Sequence, residues 1–185
     1  MFGETLYTRR LLLRRVQADD LPRLVSWSRS PEACGDFLSL ENYNEEQMRQ
    51  QLAAGVYWSE RERLYLIALR DTTPIGVIHY WRSPGQEGEV VMALKIAVTG
   101  QRNKGYGTEA QKYLIMYLFE RHGVNSVAMY TDVNNQAEQR CLQKLGFELV
   151  ESLTYEDQHV RRTGHLYRLG KDTFARQPIY QYHFE

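Results

Sequence analysis

The sequence predicts an α/β (α+β) domain built on a mixed sheet, and three observations lead there. Two β-like runs flank the turn Asp71-Thr72-Thr73-Pro74, which reads as an antiparallel hairpin. From residue 89 onward the pattern changes to strand, helix, strand, helix, strand. No repeat, low-complexity tract or linker interrupts the 185 residues, so residues 1–185 are expected to form one domain with a proper core.

The elements follow in order. Leu11 to Val16 reads as a first strand. Asp19-Asp20 opens a helix, with Pro22 in its first turn and Leu21, Leu24, Val25 and Trp27 as its apolar face. Residues 30–44 lack periodicity. Glu45 to Ala54 is a second helix, with Met48 and Leu52 facing inward. The hairpin strands are Leu64–Leu69 and Ile75–Trp81. Ser83 to Gly88 is a turn into a long strand, Glu89 to Val98. Val90, Met92, Leu94, Ile96 and Val98 share one face of it, and Glu89, Val91, Ala93, Lys95 and Ala97 the other. Glu109 to Arg121 is helical with Ala110, Tyr113, Leu114, Tyr117 and Leu118 as a stripe, and Gly123 ends it. Ser126–Val133 is a strand, and Ala137–Leu145 a helix capped near Asn134-Asn135. Phe147–Val150 and Leu166–Leu169 are further strand segments.

Composition narrows the function. Lys plus Arg equals Asp plus Glu, giving zero net charge. A general nucleic-acid or membrane-surface binder needs a basic face, so neither partner is expected. Cys34 and Cys141 form neither a metal spacing nor a disulfide framework, and no metal is expected. Cys141 falls in a helical pattern, as a small buried apolar residue would. The start, Met1-Phe2-Gly3-Glu4, lacks the basic segment and apolar core of a secretory leader, and no apolar run reaches membrane-spanning length. The expected location is cytoplasmic.

The chemistry concentrates at Gln101 to Ala110. Gly105 and Gly107, flanked by Arg102 and Lys104, lie between a strand and a helix. Glycines let the backbone approach a ligand, and the N–H groups of a loop entering a helix form an anion cradle suited to pyrophosphate. The phosphate-loop pattern fails, because Lys104 precedes the glycines. The dinucleotide fingerprint fails too, because no acid closes a strand at the required distance.

Arg102-x-x-Gly105-x-Gly107 resembles the acetyl-CoA loop of the GNAT acetyltransferases. Asn135 to Phe147 resembles that family's second hallmark, an Asn at a strand end, a short helix, then Lys144-x-Gly146-Phe147. Gly105 to Ala110 and Thr5 to Arg14 look like the branch of ribosomal-protein N-terminal and spermidine acetyltransferases. The likeness runs from residue 5 to about 150 and fades over the last 35. It implies a GNAT-like mixed, splayed central sheet flanked by helices. Acetyl-CoA as cosubstrate would lie in the splay. The acceptor would be a primary amine on a small molecule or a protein N-terminus, and the protein a monomer or homodimer.

The resemblance assigns roles. Arg102, Asn103, Lys104, Gly105, Tyr106, Gly107 and Thr108 would hold the pyrophosphate, with Arg102 and Lys104 adding charge. The backbone edges of Ile96 and Val98 would pair with the pantetheine arm, as an added strand does. A backbone N–H of this segment would steady the oxyanion. Asn135 would bond the pantetheine arm, or serve only as a helix cap. Glu89 is the candidate base, with Glu87 its near neighbour; His79, alone on a strand, reads as structural, and Asp132, closing a strand beside the cleft, would instead bind a cationic acceptor. Glu41, Glu45 and Glu46, with Tyr43 and Tyr57, would face a cationic acceptor or simply solvate a helix start. The family's usual proton-donating Tyr is replaced by Leu142, and its usual Ser or Ala by Glu138, leaving Tyr130, Tyr167 or water to protonate the thiolate. A catalytically weak acyl-CoA-binding or sensor module of the same fold is the alternative.

Overall fold

The computed structural model describes residues 5–181; Met1–Glu4, where a leader was sought, lie outside them. In chain order the strands are Thr5–Tyr7 (β1), Leu11–Arg15 (β2), Glu62–Leu69 (β3), Pro74–Arg82 (β4), Glu89–Ile96 (β5), Ser126–Asp132 (β6), Glu148–Asp157 (β7) and Val160–Gly170 (β8). The helices are Leu21–Arg29 (α1), Pro31–Cys34 (α2), Glu45–Ala53 (α3), Tyr106–Glu120 (α4), Gln136–Lys144 (α5) and Lys171–Arg176 (α6). The strands form one sheet in the order β1-β2-β3-β4-β5-β6-β8-β7. Every neighbouring pair is antiparallel except β5 and β6. This is the open mixed sheet flanked by helices that the sequence predicts.

Alternation along the strands divides the core between the two faces. Leu11, Leu13, Ile67, Ile78, Val90 and Met92 point to the face covered by α4 and α5, where Leu114, Leu118, Leu142 and Leu145 are fully buried. Leu66 and Ala97 point to the other face, under Leu21, Leu24 and Trp27 of α1 and Met48 of α3. The C-terminal segment packs on the first face: Phe174 stacks on Phe119 at 4.4 Å, and the Tyr180 hydroxyl donates to the Leu145 carbonyl at 2.6 Å.

Several elements differ from the sequence reading. Helix α4 starts at Tyr106, three residues early, because Gly105 at φ +81° caps it and Gly107 is already helical. Its buried side is Ala110, Gln111, Leu114, Ile115, Leu118 and Phe119, leaving Tyr113 and Tyr117 half-buried. The long strand ends at Ile96 rather than Val98: the N–H groups of Ala97 and Val98 both reach the Ile75 carbonyl, at 2.8 and 3.2 Å, which breaks the alternation. β7 and β8 form a long hairpin whose outer strand is exposed and largely polar, so its alternation was weak in the sequence.

Candidate active site

β5 and β6 pair over three positions only, Glu89 with Ser126, Val90 with Val127 and Val91 with Ala128. Beyond them the strands part, and a cleft of about 670 Å³ opens. Leu94 and Ile96 form one wall, Met129, Tyr130 and Asp132 the other, and the starts of α4 and α5 close it from one face.

The β5 wall is an open backbone edge. The Ala97 N–H bonds to the Ile75 carbonyl at 2.8 Å, so Gly76 opposite Ile96 is a non-hydrogen-bonded pair of the β4–β5 ladder, and so is Ile78 opposite Leu94. The N–H groups of Leu94 and Ile96 and the Leu94 carbonyl therefore point away from β4, into the cleft, while the Ile96 carbonyl accepts from Arg102 Nε at 2.8 Å. Ile96 is placed as expected. Val98 is corrected: its N–H is spent on Ile75, and its side chain packs with the α1–α3 core. The strand end could not be read from alternation alone, because Val98 continues it. Leu94 takes its place, and the same alternation that singled out Ile96 points to it.

The cradle is built as the glycines suggest. Asn103 and Gly105 hold left-handed conformations, φ +59° and +81°, which turn successive N–H groups toward one concavity. The N–H groups of Gly105, Tyr106, Gly107 and Thr108 open α4, where a helix offers them no partner. A Cβ on Gly107 would stand 3.0 Å from Leu94 Cδ2, so glycine lets the helix start seat directly against β5. Glu109 locks this assembly. Its carboxylate accepts from Thr8 Oγ1 at 2.6 Å, Arg10 N at 2.9 Å and Arg10 Nε at 2.8 Å, while Arg10 Nη1 reaches the Lys104 carbonyl. Burial alone would raise the Glu109 carboxyl; the bonds from Thr8 and Arg10 outweigh it and hold it low.

Arg102 requires a correction. Its Nε donates to the Ile96 carbonyl at 2.8 Å, and its Nη2 to the carbonyls of Glu32 and Ala33 at 2.8 and 2.9 Å. The guanidinium therefore ties the cleft strand to α2 instead of waiting for phosphate. Five donors in a fixed fork suit three carbonyls well. Lys104 stays at the exposed rim, its ammonium 3.2 Å from Gln101 Oε1. Asn135 lines the cleft and also caps α5, its Oδ1 accepting from the Glu138 N–H at 3.2 Å. Both of its expected roles are compatible, because Nδ2 is a separate donor.

Glu89 is the larger correction. It sits at the paired end of β5, 4% exposed, with its carboxylate bonded to the Ser126 hydroxyl at 2.8 Å and to the Arg168 guanidinium. Leu94 lies about 16 Å further along the strand. Glu89 cannot reach the cleft. The sequence named the strand but not which end of it parts from β6.

A smaller cavity of about 130 Å³ adjoins the cleft across β5, sharing Cys34, Leu38, Ala93, Leu94 and Lys95 with it. Glu41, Tyr43 and His79 line it. His79 Nε2 lies 2.8 Å from Glu62 Oε2. Glu45 instead pairs with Arg49 at 2.7 Å on α3, an ordinary surface contact, and the Tyr57 hydroxyl donates to Gln51. Burial, then Glu41, push the Tyr43 phenol far above its ordinary value. Over the cleft mouth, Ser39 accepts from Arg162 at 3.0 Å and donates its N–H to Asp157 at 3.1 Å, and Arg162 approaches Asp132 at 3.7 Å.

The family model for the GNAT acetyltransferase domain matches residues 10–148. The chain belongs to the GNAT acetyltransferase family. No curated protein sequence matches it. Among solved structures, a GNAT-family acetyltransferase from Bacillus anthracis is 16% identical, covering 91% of this chain and 99% of its own, with a TM-score of 0.75. RimL, a ribosomal L7/L12 α-N-protein acetyltransferase in complex with coenzyme A, is 15% identical over 92% and 99%, TM-score 0.77. A SpeG spermidine N-acetyltransferase chimera from Vibrio cholerae and hSSAT is 12% identical over 90% and 98%, TM-score 0.77. These likenesses establish the shared fold. Among the described residues, no helix is long and apolar enough to cross a membrane, and no group of three or more His, Cys, Asp or Glu side chains is placed to hold a metal.

Proposed function

We propose that this GNAT acetyltransferase moves the acetyl group of acetyl-CoA directly to a primary amine, on a small molecule or a protein N-terminus, with both substrates bound at once. The observation that carries the reading is the open edge of Leu94 and Ile96 running up to the cradle at the start of α4. Pyrophosphate suits the cradle and the pantetheine amides suit the strand edge. The thioester then lies where the cleft meets the smaller cavity, so an amine entering from the Tyr43–His79 side attacks across β5.

Each step has a residue. An N–H of the open β5 edge faces the thioester oxygen and steadies the tetrahedral oxyanion. The His79–Glu62 pair takes the amine's proton, directly or through water, in the role first given to Glu89. RimL and SpeG act on a protein N-terminus and on spermidine. Glu41 beside Tyr43 offers this acceptor cavity one carboxylate and an aromatic face, and Lys95 adds a positive charge. The mixed charge favours an acceptor carrying both an amine and an acceptor or acidic group, such as a peptide end, over a purely cationic polyamine.

The test is coenzyme A thiol release with acetyl-CoA against short peptides, amino acids, polyamines and aminoglycosides. Turnover with peptide amines is expected. Acetylation of only hydroxyl or thiol acceptors, with every amine inert, overturns the reading. Acetyl-CoA binding without turnover of any acceptor leaves the acyl-CoA-binding module.

A further inference from the structure

Glu138 stands third in α5, after Asn135-Gln136-Ala137. An acid three residues after an Asn cap ordinarily reaches back to the cap's N–H. Here the Asn135 N–H is taken by the Asp132 carbonyl at 3.0 Å. The Glu138 side chain turns instead into the cleft wall between α5 and α4. Its Oε1 is buried and, among the described residues, has no hydrogen-bond partner.

The neighbours explain what state it is in. Gln111 of α4, fully buried, lies beside it; its Nε2 donates to Cys141 Sγ at 3.8 Å, and its Oε1 is likewise a buried acceptor without a donor among the described residues. Thr108 Oγ1 and Cys141 Sγ, 3.1 Å apart, complete the cluster. A buried carboxylate oxygen without a donor is costly, and a proton on the Glu138 carboxyl removes the buried charge. Burial pushes its ionisation upward, against the neighbouring Gln111 amide. The other titratable groups of the cleft wall are Cys141 on the same helix, Tyr106 at the start of α4, Tyr130, Asp132 and Tyr155 on the β6 side, Lys95 of β5, Arg102, and Cys34 and Asp36 opposite. Burial, the largest influence on it, raises the Cys141 thiol, which makes it a weaker acid than the departing coenzyme A thiol. Tyr167 is excluded by burial against Gln139.

We infer that Glu138 is the catalytic acid that protonates the departing coenzyme A sulfur. The inference rests on the acetyl-transfer reading. The amine nitrogen bonds to the thioester carbon, the carbon–sulfur bond breaks with its electron pair on sulfur, and the Glu138 proton moves to that sulfur. The proton lost by the amine passes to the base and solvent, and solvent reprotonates the carboxylate. An alkyl thiolate, with a parent thiol near pH 8–9, is basic enough to accept the transfer. Leu142 needs no hydroxyl in this scheme; it is fully buried core.

The test pairs kinetics with a direct view of the proton. Glu138→Gln keeps the shape and the neutral charge but has no acidic proton. It is expected to melt with the parent, to bind acetyl-CoA as the parent does, and to lower kcat by roughly 10²-fold. The parent's kcat should fall on the alkaline side as Glu138 ionises, and that limb should vanish in the variant. Difference infrared spectra should show a protonated carboxyl band in the parent near neutral pH, missing in Glu138→Gln and displaced when acetyl-CoA is added. Calorimetric binding of acetyl-CoA with no such band, or with a band that does not move, overturns the acid and leaves the acetyl-CoA reading intact. An unchanged kcat or a retained alkaline limb in the variant does the same. Absence of acetyl-CoA binding in the parent overturns both.

Discussion

The Arg102 Nε donates to the carbonyl of Ile96 at 2.8 Å, and the rest of the guanidinium reaches across to Glu32 and Ala33. The residue that opens the glycine-loop motif is thus a clamp between the cleft strand and the α2 turn. Removing it should destabilise the protein before any ligand is added. Arg102→Ala is expected to lose about 1.5–3 kcal/mol, since charged hydrogen bonds to three carbonyls disappear. A melting curve without acetyl-CoA checks this. A melting temperature equal to the parent's would return Arg102 to the role of a phosphate ligand.

Glu89 is expected to matter for folding alone. Glu89→Gln removes the charge from the pair with Arg168, which is 28% exposed, and stability should fall by about 1.5–3 kcal/mol. The turnover number and its pH profile should stay as in the parent. A lower kcat at unchanged stability would put the carboxylate back in the chemistry.

The contrast between these residues shows what the sequence holds. The order of elements from Leu11 to Leu169 apart from α2, the cradle at Gly105–Thr108 and the cap at Asn135 were legible, because each rests on local spacing; the short β1, α2 and α6 were not. The splay was legible only through the family resemblance. Which end of β5 opens depends on where Ser126–Ala128 pairs, and no local pattern carries that. Arg102 looked like a phosphate ligand because its partners, Glu32 and Ala33, lie far away in sequence in a stretch without periodicity. Glu138 was visible as a departure from the family pattern, but its missing partner shows only once α4 packs beside it.

Acid should loosen the cradle. Hydrogen bonds hold Glu109 and Asp20 below their ordinary values of 4.5 and 3.8, against burial, which is the largest single influence on each. Depressed carboxylates contribute stability above their unfolded values and lose it as pH falls through the folded ones. Stability should therefore decline from just above pH 4.5 downward. In Glu109→Gln the curve should start lower and fall less steeply. Parallel acid curves for parent and variant would contradict this.

The contacts of Ser39 with Asp157 and Arg162 hold residues 37–39 over the cleft mouth. Arg162→Ala should raise amide exchange in that segment and leave the melting temperature little changed. Unaltered exchange there would mean that the segment is held by other contacts.

Hydrogen exchange with and without saturating acetyl-CoA tests the central claim most directly, because the site is made of amide N–H groups. Protection is expected at Leu94–Ile96 and across Asn103–Thr108, with the β7–β8 turn unaffected. Unchanged exchange across Asn103–Thr108 in protein saturated with acetyl-CoA would contradict the account.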